Sequence, residues 1–144
     1  MIELGGWDTH ANQRGAFARS ARQLDALLAA YRTGMDAAWA DTMVVVATEF
    51  GRTARLNGTG GTDHGTASAA LVMGGAVRGG RVIADWPGLA GGQLYEGRDL
   101  APTIALESVI AGAVAEHLRL DPMLAMARLF PGRSAAPLAG IINS

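Results

Sequence analysis

TMVVVATEFGRT, residues 42–53, opens on a β-branched run and closes on an acid, an aromatic ring and a base. Val44, Val45 and Val46 follow one another with no polar alternation. That pattern fits a central strand of a parallel sheet, covered on both faces. Glu49 and Arg52 then fall just beyond the strand's carboxyl end, where open α/β sheets place their ligands.

Working outward, Ile2 to Leu4 reads as the end of another strand. Arg14 to Trp39 reads as a long helix, with Phe17, Leu24, Leu27, Leu28, Tyr31 and Met35 spaced to face a core. The segment FGRTARLNGTGGTDHG, residues 50–65, is a polar, Gly-rich loop of the length that usually carries function. Ala69 to Met73 reads as a second buried strand, and VRGGRVIADWPGL as a hairpin or excursion turning at Pro87-Gly88. A helix is expected from about Thr103 to Leu118. A last short one follows, capped by Asp121 with Pro122 in its first turn. From Pro131 onward the composition reads as a loose tail, which gives a domain over 1–130 and a tail over 131–144. Strands alternating with helices point to an α/β layer fold, although few strong strands are visible.

Composition narrows the chemistry. The chain has 144 residues, 49% of them hydrophobic and 17% charged, with a net charge of −1. A core is affordable to such a chain, and nothing steers it toward nucleic acid or an anionic membrane. It has no Cys, so thiolate sites and disulfides are excluded. All twelve basic residues are Arg, so a lysine nucleophile or Schiff base is excluded too. The apolar runs are too short or too broken by Gly to span a bilayer. The N-terminus has no signal peptide pattern, so the chain as given reads as cytoplasmic.

Three polar clusters remain: Asp8-Thr9-His10, Glu49 with Arg52, and Asp63-His64. Two histidines and three carboxylates converging make a hard or borderline metal site. The candidate ligands are Asp8, His10, His64, Glu49 and Asp63, and the ion is Zn²⁺, Mn²⁺, Ca²⁺ or Mg²⁺. Arg52 can clamp a small anionic ester bidentately. Each cluster also has a plain reading. Asp8 can be a turn-former, His10 a surface residue, and Glu49 with Arg52 a structural ion pair. His117, near a helix C-terminus, reads as structural. GTGG, residues 58–61, lacks the Lys and helix of a nucleotide loop.

GWDTHANQ, then VVVATEFGRTARLNGTGGTDHGTASAALVMGGAVRGGRV, then RDLAPT, together resemble the C-terminal part of a bacterial family, domain of unknown function 1501, over about residues 2–122. That family is similar in turn to the alkaline phosphatase and sulfatase superfamily. The resemblance implies a partial three-layer α/β/α sandwich with a mostly parallel sheet, truncated at its N-terminus. It implies a metal-dependent hydrolase of phosphate or sulfate esters. Asp8, His10 and His64 then resemble the ligands of one metal, and Glu49 a ligand of a second. Phe50 stands where that second site's His would be, with Asp63 or Arg52 as substitutes.

The nucleophile of such enzymes belongs to an N-terminal half, so the chain alone is expected to turn over little substrate. Thr48, Thr62 and Thr66 are distant candidates for that role. A missing half or a second copy is the partner expected to cover the sheet edge. Full-length relatives are expected to be exported or periplasmic. The alternatives are a metal-stabilised binding module without activity and a gene fragment without independent function.

Overall fold

The computed structural model describes residues 1–143. The chain forms two compact units, each made of discontinuous segments. One comprises Met1–Ala37, Glu49–Ser68 and Pro87–Ala101; the other comprises Ala38–Thr48, Ala69–Trp86 and Pro102–Ser144.

In the first unit, helix α1 runs over Gln13–Met35. Its first amides are satisfied from outside the helix. The Asn12 N–H donates to Thr59 O at 3.1 Å and the Gln13 N–H to Gly60 O at 2.9 Å, which meets the usual shortage of partners at a helix start. Trp7 packs edge-on against Phe17, and Ser20 Oγ donates to Gly6 O at 2.9 Å. Strands β2 (Gly51–Arg52) and β3 (His64–Gly65) form a short antiparallel ladder in which Arg52 sits opposite His64.

In the second unit, strand β1 (Met43–Val46) pairs antiparallel with β4 (Leu71–Gly74), with Met43 opposite Gly74 and Val46 opposite Leu71. Helices α2 (Leu106–Leu118) and α3 (Pro122–Leu129) pack on one another. Their buried residues are Ser108, Ala111, Gly112, Ala113 and Ala115 on α2, and Ala125 and Met126 on α3. The small face of α2 admits another backbone closely: a Cβ on Gly112 would lie 1.9 Å from Leu138 O. Asp121 caps α3 by accepting from the Leu124 N–H at 2.7 Å, with Pro122 in the first turn, as the sequence predicts.

The segment after Pro131, loose by composition, is tied to the same unit. The Leu138 N–H donates to Ser108 O, the Arg78 N–H to Ile141 O and the Asn143 N–H to Ala76 O. Ile141 is buried. The Glu116 carboxylate accepts from the N–H groups of Gly140, Ile141 and Ile142, the last two at 2.7 and 2.8 Å.

The expected sandwich with a mostly parallel sheet does not form. The described strands make two small sheets, each a two-stranded antiparallel pair. The reason lies in the connection. A parallel neighbour needs a crossover, usually a helix, and residues 47–70 contain the β2–β3 ladder and turns instead. Ile2 to Leu4 joins no strand, and Ile2 is exposed. The face of α1 expected to be core is only partly covered: Phe17 is 52% exposed, Leu24, Leu27, Leu28 and Met35 are half-buried, and Ser20 is the helix's buried residue. Among the described residues, no helix is long and apolar enough to cross a membrane.

Candidate metal centre

The first unit brings the two ends of its polar sequence together at His10. The turn at 57–61 grips that residue's backbone. Asn57 Nδ2 and Thr59 Oγ1 both donate to His10 O, at 2.9 and 2.7 Å. Ala11 forms a β-bridge with Gly60. Gly61 passes so close that a Cβ there would lie 2.1 Å from the His10 carbonyl carbon; only glycine permits that approach. Beneath the turn, Thr9 and Thr62 are buried, and both hydroxyls donate to Gln13 Oε1.

This scaffold gathers Asp8, His10 and His64, with one ligand atom from each lying within 4.8 Å of the others. Asp8 Oδ1 is the hub. It lies 3.0 Å from His10 Nε2, 2.9 Å from His64 Nε2 and 2.8 Å from Arg52 Nη2. Arg52 braces the hub. Its Nη2 also donates to Trp7 O at 2.6 Å, and its Nη1 donates to Thr62 O at 2.8 Å. Both Nη2 hydrogens are therefore used within the protein. Hydrogen bonds, from His64 foremost and then from Arg52, outweigh partial desolvation and hold the Asp8 carboxyl below its ordinary 3.8.

Phe50 stacks on His64, with ring centroids 4.5 Å apart and planes 6° from parallel. The Arg52 guanidinium lies 4.8 Å from the centre of the same phenyl ring. Asp63 takes a different place from the three gathered residues. Its Oδ1 lies 3.0 Å from His10 Nδ1, on the edge of the imidazole away from Nε2, and accepts from Asn57 Nδ2 at 3.0 Å. Those bonds, Asn57's first, hold Asp63 below 3.8 as well. Glu49 is exposed and lies outside the group.

The donor set suits a divalent ion. Two imidazole nitrogens and a carboxylate oxygen are a usual three-ligand set that leaves a position open. Bonds of about 2.0–2.1 Å at tetrahedral angles separate neighbouring donors by roughly 3.3 Å. The two His–Asp8 distances, 3.0 and 2.9 Å, are close to that. His10 also meets a carboxylate through its other ring nitrogen, Nδ1, as a ligating histidine commonly does. About half of each ligand side chain is exposed, so solutes reach the group freely.

A cleft of about 210 Å³ opens beside Asp63 and Asn57, lined also by Thr53, Arg55, Leu56, Gly97 and Arg98. The Arg98 guanidinium pairs with buried Asp99, its Nε 2.7 Å from Oδ1. Sequence reading finds neither this cleft nor Asn57. Asn57 sits in a Gly-rich loop where Asn is a common turn residue, and nothing local marks its reach to His10. The distant nucleophile candidates Thr62 and Thr66 have committed hydroxyls, the first to Gln13 and the second to Asp99 at 2.9 Å.

The family "Protein of unknown function (DUF1501)" matches residues 1–125, and the chain belongs to it. No curated protein and no solved structure matches the chain.

Proposed function

We propose that Asp8, His10 and His64 hold one divalent metal ion, and that the chain is the metal-holding part of a hydrolase acting on phosphate or sulfate esters. The observation that carries this reading is the convergence of three ligand atoms, from positions 8, 10 and 64, within 4.8 Å. When bound, such an ion supplies Lewis acidity toward a phosphoryl or sulfuryl oxygen.

The chain's own residues do the rest. Asp8 carries the negative charge that attracts the cation. Arg52 fixes the Asp8 carboxylate while its planar fork is anchored on two carbonyls. Arg55, in the adjoining cleft, offers an exposed positive charge that would steer an anionic ester. No described hydroxyl stands beside a free base in the group, so turnover by this chain alone is expected to be low.

The half-exposed ligands and the committed threonines also favour a second reading, a binding module that the metal staples. Two assays separate them. Elemental analysis of the folded chain, beside His10→Ala and His64→Ala, should give about one divalent ion per chain, lost in both variants. Hydrolysis of p-nitrophenyl phosphate and sulfate should then track metal content. A folded chain without metal would sink both readings; metal without hydrolysis in a longer family member would leave the binding module.

A further inference from the structure

The geometry points to Asp63 as the positioning residue for His10: it takes the Nδ1 hydrogen and leaves Nε2, on the other edge of the ring, as the donor atom toward Asp8 and His64. This assigns Asp63 a place behind the metal rather than on it, and it rests on the metal reading above.

The assignment follows from one asparagine. Asn57 Oδ1 accepts from the N–H groups of Thr59 and Gly61, both at 3.0 Å. Backbone N–H groups can only donate, so the amide oxygen is the atom that faces them. The amide nitrogen therefore faces the other way, toward His10 O at 2.9 Å and Asp63 Oδ1 at 3.0 Å. Asp63 is thus held as an acceptor, and its main-chain N–H is tied to Thr53 Oγ1 at 3.2 Å.

An ionised carboxylate oxygen has no hydrogen to offer. At 3.0 Å from that oxygen, His10 Nδ1 must bring the hydrogen itself. A neutral imidazole has one hydrogen, so Nε2 keeps its lone pair. That lone pair points at Asp8 Oδ1, 3.0 Å away. Two lone pairs at that distance repel unless a cation or a proton lies between them. The Asn57–Asp63 pair therefore presets His10 to ligate through Nε2, the arrangement in which an outer carboxylate orients a metal-bound histidine.

His64 is oriented by different means. Its Nε2 also meets Asp8, but its ring is fixed by the face of Phe50. Loss of Asp63 should consequently change His10 and spare His64, which supplies an internal control.

The test uses the whole chain, Zn²⁺ alone as probe, and the variants Asp63→Ala and Asp63→Asn. Long-range ¹⁵N–¹H correlation spectra of the metal-free chain, taken well above the ordinary histidine pKa of about 6.5, read each tautomer. Calorimetry against a competing chelator reads the affinity. The wild-type chain should show His10 protonated at Nδ1. Asp63→Ala should shift His10 toward the Nε2–H form, leave the His64 signals in place and weaken Zn²⁺ binding on the order of 10–100-fold. Asp63→Asn, nearly isosteric and still offering an amide oxygen, should recover part of both; it carries the test if the alanine variant does not fold. Zn²⁺ binding of equal strength with and without Asp63, or a wild-type His10 protonated at Nε2, overturns the role of Asp63 while the metal reading stands. A folded wild-type chain that takes up no Zn²⁺ overturns both.

Discussion

Phe50 lies flat against His64, their ring centroids 4.5 Å apart. The phenyl ring offers no ligand atom. It does restrict the imidazole's rotation, and the Arg52 guanidinium near the phenyl ring extends the same stack. Phe50→Ala should loosen His64 and lower Zn²⁺ affinity about 3–10-fold, a stacking loss of roughly 0.5–1.5 kcal/mol. Phe50→Tyr should stay near wild type. Chelator-competition titration measures both; an alanine variant with unchanged affinity would show that the stack does not orient the ligand.

Arg52 joins Trp7 O, Thr62 O and the Asp8 carboxylate. Its side chain is 20% exposed, so its loss leaves polar groups short of partners. Arg52→Ala should lower stability by about 1.5–3 kcal/mol. Arg52→Lys should recover little, because one ammonium cannot span the fork's acceptors. Urea unfolding of the three proteins decides it, and a full rescue by lysine would reduce Arg52 to a point charge.

Arg55 lines the cleft next to Asp63, and its guanidinium has no partner among the described residues. Removing it should leave stability within about 0.5 kcal/mol. It should weaken binding of inorganic phosphate to the metal-loaded chain roughly two- to fivefold, the usual scale for an exposed pair. Isothermal titration with phosphate at low salt reads this directly; equal binding would place the anion elsewhere.

Glu116 gives a pH dependence with a definite sign. Burial pushes its carboxyl up, but the N–H groups of Ile142, Gly140 and Ile141 outweigh burial and hold it below its ordinary 4.5. A carboxyl depressed in the folded state stabilises fully above the unfolded value. That contribution is lost as pH falls through the lower, folded value. Amide exchange at 140–142 should therefore stay slow, relative to its intrinsic rate, down to about pH 4.5 and quicken only below it. Glu116→Ala should quicken it at neutral pH and cost about 2 kcal/mol. Exchange that quickens between pH 7 and 5 would place the responsible titration in another group.

What could be read beforehand divides along physical lines. Asp121 and Pro122 mark a helix start by contacts within four residues, and that start is where the sequence puts it. Asp8, His10 and His64 are visible as chemistry-bearing residues in Gly-rich, polar surroundings, and they converge. Glu49 has the same local credentials and lies outside the group, because pattern alone does not say where a side chain ends up. The valines of β1 announce a strand but not its partner's direction, since burial on both faces looks alike in parallel and antiparallel pairs. Asn57 was illegible because its grip on His10 spans 47 residues of chain. The apolar spacing of α1 marks a stripe, but not a buried one: Phe17 and Tyr31 on it are exposed.

The amides of Asn12 and Gln13 end on the carbonyls of Thr59 and Gly60, in the turn that also grips the His10 carbonyl. The first turn of α1 and the histidine are thus one mechanical piece. A disturbance of that turn uncaps the helix, so the two amides act as a remote gauge: their exchange rates register a shift of the His10 main chain without any probe placed on it.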